Sequence, residues 1–168
     1  MSQEPLQPSK PKTVRASRVT LSQLMQPEHA NLRGDVHGGW IMKLIDEAGA
    51  LAAMRHAQCR VVTVAIDQMY FHEPIRIGDL VILNSEVSYV GRTSIETRVE
   101  VIAENPITGE QTQTNSAYSV YVALNAEGDP QPVPGLIAET QVEKQRLKAG
   151  KKRQEFRLTQ GKKSRPEN

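Results

Sequence analysis

Between residues 38 and 57 the apolar side chains Ile41, Leu44, Ile45, Ala48 and Ala52 fall at i, i+3, i+4, i+7 and i+11, the spacing of one buried stripe on an α-helix. The period then changes. Residues 60–69 (RVVTVAIDQM), 79–90 (DLVILNSEVSYV), 93–104 (TSIETRVEVIAE) and 112–124 (TQTNSAYSVYVAL) read as strands, separated by Pro74 and Gly78, by Gly91-Arg92 and by the NPITG turn at 105–109. In the third, Ile95, Thr97, Val99, Val101 and Ala103 alternate with Glu96, Arg98, Glu100, Ile102 and Glu104, the pattern of a strand with one wet face. In the fourth, Tyr118, Val120, Val122 and Leu124 share a face. Consecutive strands joined by short turns pair antiparallel. One long helix, preceded by a short strand at residues 13–20 and followed by a long sheet, predicts an α+β fold in which the sheet wraps around the helix.

A length of 168 residues suits one domain with a real core, flanked by tails. Residues 1–12, rich in Pro, Ser, Gln and Lys, are expected to be disordered; residues 13–137 form the domain; residues 138–168 read as a basic surface helix with a frayed end. Residues 25–35 (MQPEHANLRGD) read as a loop. The formal net charge of +2 is unevenly placed: residues 139–168 carry ten Lys/Arg and four Asp/Glu, against eleven and fifteen in the rest of the chain. That basic tail suits a solvated helix on the outside of an oligomer, or steering of a polyanion. Nucleic acid is a poor third, because aromatic residues are 4% of the chain and the tail has only Phe156 for stacking. The one cysteine, Cys59, cannot form an intrachain disulfide and favours a reducing compartment. The opening MSQEPLQPSKPK lacks the apolar stretch of a secretory signal, and no run reaches the ~20 apolar residues needed to cross a bilayer. A soluble, cytoplasmic protein without membrane insertion is expected.

The chemistry gathers at the start of the helix. A helix N-terminus presents unpaired N–H groups, and Gly38 and Gly39 let a ligand approach that backbone closely, as an anion site or an oxyanion hole; two glycines also simply allow a tight turn. Asp46 shares a face with Met42, Gly49 and Ala53. A carboxylate on that stripe can hold and activate a water as a general base, or it is a plain surface group paired with Lys43. Seven residues separate Gly39 from Asp46, so the carboxylate lies about 10 Å along the axis from the N-terminal donors. One protomer cannot easily bring both to one carbonyl carbon. Two antiparallel helices packed through Gly49, Ala50 and Ala53 could, and the site would then be shared across a homodimer.

Residues 24–56 (LMQPEHANLRGDVHGGWIMKLIDEAGALAAMRH) closely resemble the corresponding segment of the hotdog-fold acyl-CoA thioesterases, in particular the cytosolic acyl-CoA hydrolases built of one or two such domains. The resemblance continues through residues 62–81, with the F-x-x-P-I-x-x-G-D element from Phe71 to Asp79, through 87–101 and through 132–140. It implies the hotdog fold, a sheet as bun around the central helix, in dimers that often assemble into hexamers as trimers of dimers. It implies hydrolysis of fatty acyl-CoA to a free fatty acid and CoA, with no metal and no cofactor, CoA being part of the substrate and product. On this resemblance Asp46 is the base or nucleophile, Asn31 positions water or the thioester, and the N–H groups near Gly38 and Gly39 bind the carbonyl oxygen. In tandem relatives the asparagine and the acid of one site come from different domains; this chain keeps both, so two equivalent sites per dimer are expected.

Four further residues are candidates for substrate contact. His37 precedes the glycines, where a histidine more often caps or packs. Arg92, with Thr93 and Ser94 at a hairpin, is suited to the phosphates of CoA. His29, His37, His56 and His72 show no metal-ligand spacing. Trp40, Met69 and Tyr70 are candidates to line an acyl tunnel. Two other functions fit the fold: a noncatalytic acyl-CoA sensor, expected to lack the acid or the asparagine, and a hydratase or dehydratase, which needs a histidine beside the helix acid.

Overall fold

The computed structural model describes residues 10–67, 69 and 71–163, with side chains as far as 160. Most of the expected N-terminal tail, and Tyr70, lie outside the described residues. In chain order the elements are β1 (Lys12–Thr13), α1 (Val14–Ser17), β2 (Val19–Leu24), a 3-10 turn (Pro27–His29), α2 (Gly38–Ala57), β3 (Arg60–Ile66), β4 (Leu80–Val90), β5 (Ser94–Glu104), β6 (Gln111–Leu124), β7 (Leu136–Ile137) and α3 (Gln141–Lys163). Strands β2 to β6 form one antiparallel sheet in the order β2-β4-β5-β6-β3, curled around α2. β1 pairs with β7 in a separate parallel ribbon. Among the described residues no helix is long and apolar enough to cross a membrane.

The helix has the bounds that its period predicts. Ile41, Leu44, Ile45, Ala48 and Ala52 are all buried, and the first four pack with Val81, Leu83, Val99 and Val101 from the inner face of the sheet. Its end is set by Gln58, which takes the left-handed conformation at φ 55° and donates its N–H to the Met54 carbonyl at 2.7 Å.

Several local expectations change. Residues 13–20 are not one strand: Thr13 caps a single helical turn, accepting from the Ala16 N–H, and the strand starts only at Val19. Ser17 explains the interruption, since its buried hydroxyl donates to the Val14 carbonyl and accepts from the Val87 N–H, tying the turn to β4. Lys12, expected in the tail, pairs with Leu136 and donates from Nζ to the His56 carbonyl at 2.7 Å. In β6 the face toward α2 is Ala117, Ser119, Tyr121 and Ala123; the more apolar-looking face with Tyr118 and Val122 turns outward. Apart from Tyr121, the side chains on this inner face are small, because α2 runs close over it.

The basic C-terminal segment is a helix, but it is more than a solvated one. Arg153 and Arg157 both bind Glu96, whose side chain is 1% exposed, and Arg146 and Arg18 bind Glu86. Gly150 allows the approach: a Cβ there would stand 2.5 Å from the Tyr89 Cβ. The outward face of the sheet is thus partly covered, with the Arg153 guanidinium 3.7 Å above the Tyr118 ring centre.

His56, fully buried near the end of α2, bonds through Nε2 to the Pro134 carbonyl at 2.9 Å, so Nε2 carries the proton. Burial lowers its pKa below the ordinary 6.5, and the Pro134 carbonyl only partly opposes that. The unfolded chain therefore takes up a proton near pH 6.5 that the folded protein resists, and stability is lost as the pH falls through that value. Thermal unfolding at a series of pH values is expected to show Tm dropping between about pH 7.5 and about pH 5.5. His56→Gln, whose amide can also donate to Pro134, should flatten that slope.

Candidate active site

The start of α2 is built by His37, the N-cap. Its Nδ1 accepts from the Gly39 N–H at 2.9 Å, and its carbonyl accepts from Trp40 at 2.9 Å. Two of the donors expected to be open are therefore in use. The Gly38 N–H has no partner among the described residues, and it is the one left facing a ligand. No Cβ covers it; one there would meet the Phe71 ring at 3.5 Å.

Asn31 lies across from this turn. Its Oδ1 accepts from the Arg33 N–H at 2.8 Å, an Asx-turn, while its own N–H donates to the Asp35 carbonyl at 2.7 Å. With the carbonyl oxygen held by the loop, the amide NH2 is the open end, a donor. Asn31, Gly38, Ile41, Phe71 and His72 line a common groove of about 320 Å³. Trp40 packs instead on the other side, edge-on to His29 with ring centres 4.6 Å apart, and Met69 is packed against the core.

Asp46 does not line that groove. Eight residues after Gly38 it stands about 12 Å along the helix. Its Oδ1 accepts from Thr63 Oγ1 at 2.7 Å and lies 3.3 Å from the Tyr121 hydroxyl, which also donates to the Asp46 main-chain carbonyl at 3.0 Å. Oδ2 has no partner among the described residues. The pairing with Lys43 is not formed; Lys43 bonds Glu47 at 2.9 Å. Gly49 and Ala53 cannot pack a second helix as expected, because both are buried against the chain's own sheet. Tyr121 is buried, and burial first, then the Asp46 charge, raises its pKa far above the usual phenol value, so it stays a donor.

Thr63 and Tyr121 escape a sequence reading. Thr63 is one β-branched residue in a valine-rich strand, and Tyr121 sits on the face of β6 that looks less apolar; only the curl of the sheet carries both to Asp46. Arg92, Thr93 and Ser94 form a third group on the β4–β5 hairpin, closed by the Gly91 N–H to Ser94 carbonyl bond at 2.9 Å. The Arg92 guanidinium is exposed and makes no ion pair among the described residues. Nor, among these residues, do three or more His, Cys, Asp or Glu gather as a metal site.

The sequence pattern of the thioesterase superfamily matches residues 33–110. The cytosolic acyl coenzyme A thioester hydrolase of Mus musculus is 38% identical over 152 residues, which are 89% of this chain and 40% of that protein. An acyl-CoA hydrolase of Staphylococcus aureus, solved with butyryl coenzyme A, coenzyme A and coenzyme A disulfide, has a TM-score of 0.84 at 32% identity, over 91% of this chain and 93% of that one. An apo-hexameric acyl-CoA thioesterase has a TM-score of 0.86 at 36% identity, over 90% and 97%. Variants of the S. aureus protein with an aspartate, an asparagine or a threonine replaced by alanine are among the similar structures. With one helix wrapped by a five-stranded sheet and its glycine turn facing a groove, the chain belongs to the thioesterase superfamily, and its fold is the hotdog. It spans about 40% of the length of the mammalian relatives that it matches.

Proposed function

We propose that the chain is an acyl-CoA thioesterase, cleaving fatty acyl-CoA into a free fatty acid and CoA in the cytoplasm, with no cofactor beyond the CoA of substrate and product. The observation that carries this reading is the placing of three residues. Asn31, Asp46 and Thr63 stand 15 and 17 residues apart, the same two intervals that separate the asparagine, aspartate and threonine replaced in the S. aureus acyl-CoA hydrolase.

The thioester carbonyl oxygen is held by the Gly38 N–H and the Asn31 amide NH2. Asp46 takes a proton from a water, and the water oxygen attacks the carbonyl carbon. The charge that develops on the carbonyl oxygen is stabilised by those two donors. The carbon–sulfur bond then breaks, and the CoA thiolate leaves with the proton that Asp46 had taken. His37 contributes by accepting from the Gly39 N–H, which fixes the turn.

The separation of Asp46 from the groove supports a site shared by two protomers. β3 is one of the two edges of the sheet, β2 being the other, and carries Thr63, Asp46's partner; beside it Val62, Val64 and Ile66 are exposed, as are Leu51 and Met54 on α2. An edge of unpaired backbone groups with apolar flanks is completed by a second copy of the same edge. Antiparallel pairing of two β3 edges places Asp46 of one protomer toward the groove of its partner. Three such dimers would make a hexamer, the number of subunits in a similar acyl-CoA thioesterase.

Thiol release from acyl-CoA esters of short to long chain length tests the reading. Multiple turnovers support it; one-to-one binding with no thiol released would replace it with a sensor, and water adding across an enoyl-CoA double bond with a hydratase. Arg92→Ala, with Thr93 and Ser94 kept, is expected to raise KM about tenfold and leave kcat unchanged, the loss of one charge-assisted phosphate contact. The same KM for dephosphorylated pantetheine thioesters in both proteins would place Arg92 on the nucleotide end.

A further inference from the structure

We propose that Tyr121 is the positioning residue for Asp46, holding the carboxylate from beneath the helix so that Oδ2 faces the substrate. This rests on the reading of Asp46 as the base. An aspartate on a helix surface turns freely about two bonds, and a base that must meet one water needs a fixed direction. Here two donors converge on Oδ1: Thr63 from the edge strand β3 at 2.7 Å, and the Tyr121 hydroxyl from β6 at 3.3 Å. The phenol's single hydrogen is shared between Oδ1 and the Asp46 main-chain carbonyl at 3.0 Å, a bifurcated bond that ties it to side chain and backbone together.

This contact is built into the fold. Tyr121 stands on the inner face of β6, paired with Ile95 and one step along that face from the Thr97–Ser119 pair, and the side chains of Thr97, Ser119 and Tyr121 are fully buried. A phenol rarely has so little water unless its hydroxyl has a fixed task. The helix makes room for it at one position: a Cβ on Gly49 would stand 2.3 Å from the Tyr121 oxygen and 2.8 Å from Thr97 Oγ1. Gly49 is thus the gap through which the strand reaches Asp46. Any side chain there forces the phenol away from the carboxylate.

Tyr121→Phe removes the donor and keeps the ring. The expected result is a kcat about tenfold lower with KM within about twofold, and an acid limb of the kcat/KM–pH profile displaced to higher pH, since the charged carboxylate has lost a hydrogen bond. A fluorinated tyrosine at 121, a stronger donor of almost the same shape, should move that limb the opposite way and keeps the test open if the Phe protein folds poorly. Gly49→Ala should cause the same loss as Tyr121→Phe and add little on top of it. Wild-type kcat and pH profile in both the Phe and the fluorotyrosine proteins, or a loss of stability alone, would overturn the proposal. Asp46→Asn measured alongside separates the two levels: if it is inactive while Tyr121→Phe is normal, only the positioning role fails, and if it retains full activity, the reading of the base fails.

Discussion

Replacing Asp46 by Asn is expected to lower kcat for acyl-CoA hydrolysis by about 10³, with Tm close to wild type. Asparagine has nearly the same shape, and its Oδ1 can still accept from Thr63 and Tyr121, so the helix and the edge strand keep their contact. On the proposed mechanism, what is lost is the group that takes a proton from water. The groove, with Asn31 and the Gly38 N–H, is untouched, so substrate binding persists and KM changes little. The same variant tests the sharing of sites. Co-assembled with an Asn31→Ala chain, it gives mixed dimers in which one site has lost both groups and the other has lost neither. Thiol release restored by mixing two inactive proteins is the expected result; no recovery on refolding them together would mean that each protomer carries a whole site.

Glu96→Ala is expected to cost about 3–5 kcal/mol of stability, lowering Tm by about 10 °C. Glu96 lies on β5 under α3 and receives two bonds from Arg153, at 3.0 and 2.7 Å, one from Arg157 at 2.8 Å and one from Ser88 at 2.7 Å. Alanine leaves two partly buried guanidinium groups without their counter-charge. Burial by itself raises the Glu96 pKa, but the bonds from Arg153, then Ser88 and Arg157, outweigh it and the net shift is downward. A carboxyl lowered in the folded state contributes stability that is complete above the ordinary value near 4.5 and is lost as the pH falls below it. Unfolding by denaturant should therefore show the difference between wild type and Glu96→Ala shrinking below about pH 4.5. Equal stability at pH 7 would show that α3 is held by its apolar contacts instead.

The same glutamate shows where a sequence reading ends. Alternation along 93–104 puts Glu96 on the wet face, and it is on the face away from α2; what buries it is a helix 45 or more residues later in the chain. The basic tail looks solvated for the same reason, since three of its arginines answer acids on distant strands. Ser17 likewise interrupts an expected strand because Val87 needs its hydroxyl.

What the sequence by itself determines here is everything carried by a period or a local turn. The 3.6-residue stripe fixes α2 and its buried face and the two-residue alternation fixes β5, because each depends on neighbours within a few residues, while the block from Asn31 through Gly38-Gly39 to Asp46 carries the family resemblance. Only the tertiary structure decides which groups surround Asp46. Thr63 and Tyr121 reach it from strands 17 and 75 residues away, and the Gly38–Asn31 groove stands apart from it along the helix. Those contacts are set by the curl of the sheet and by the missing side chain of Gly49, geometry between elements that no spacing along one chain records.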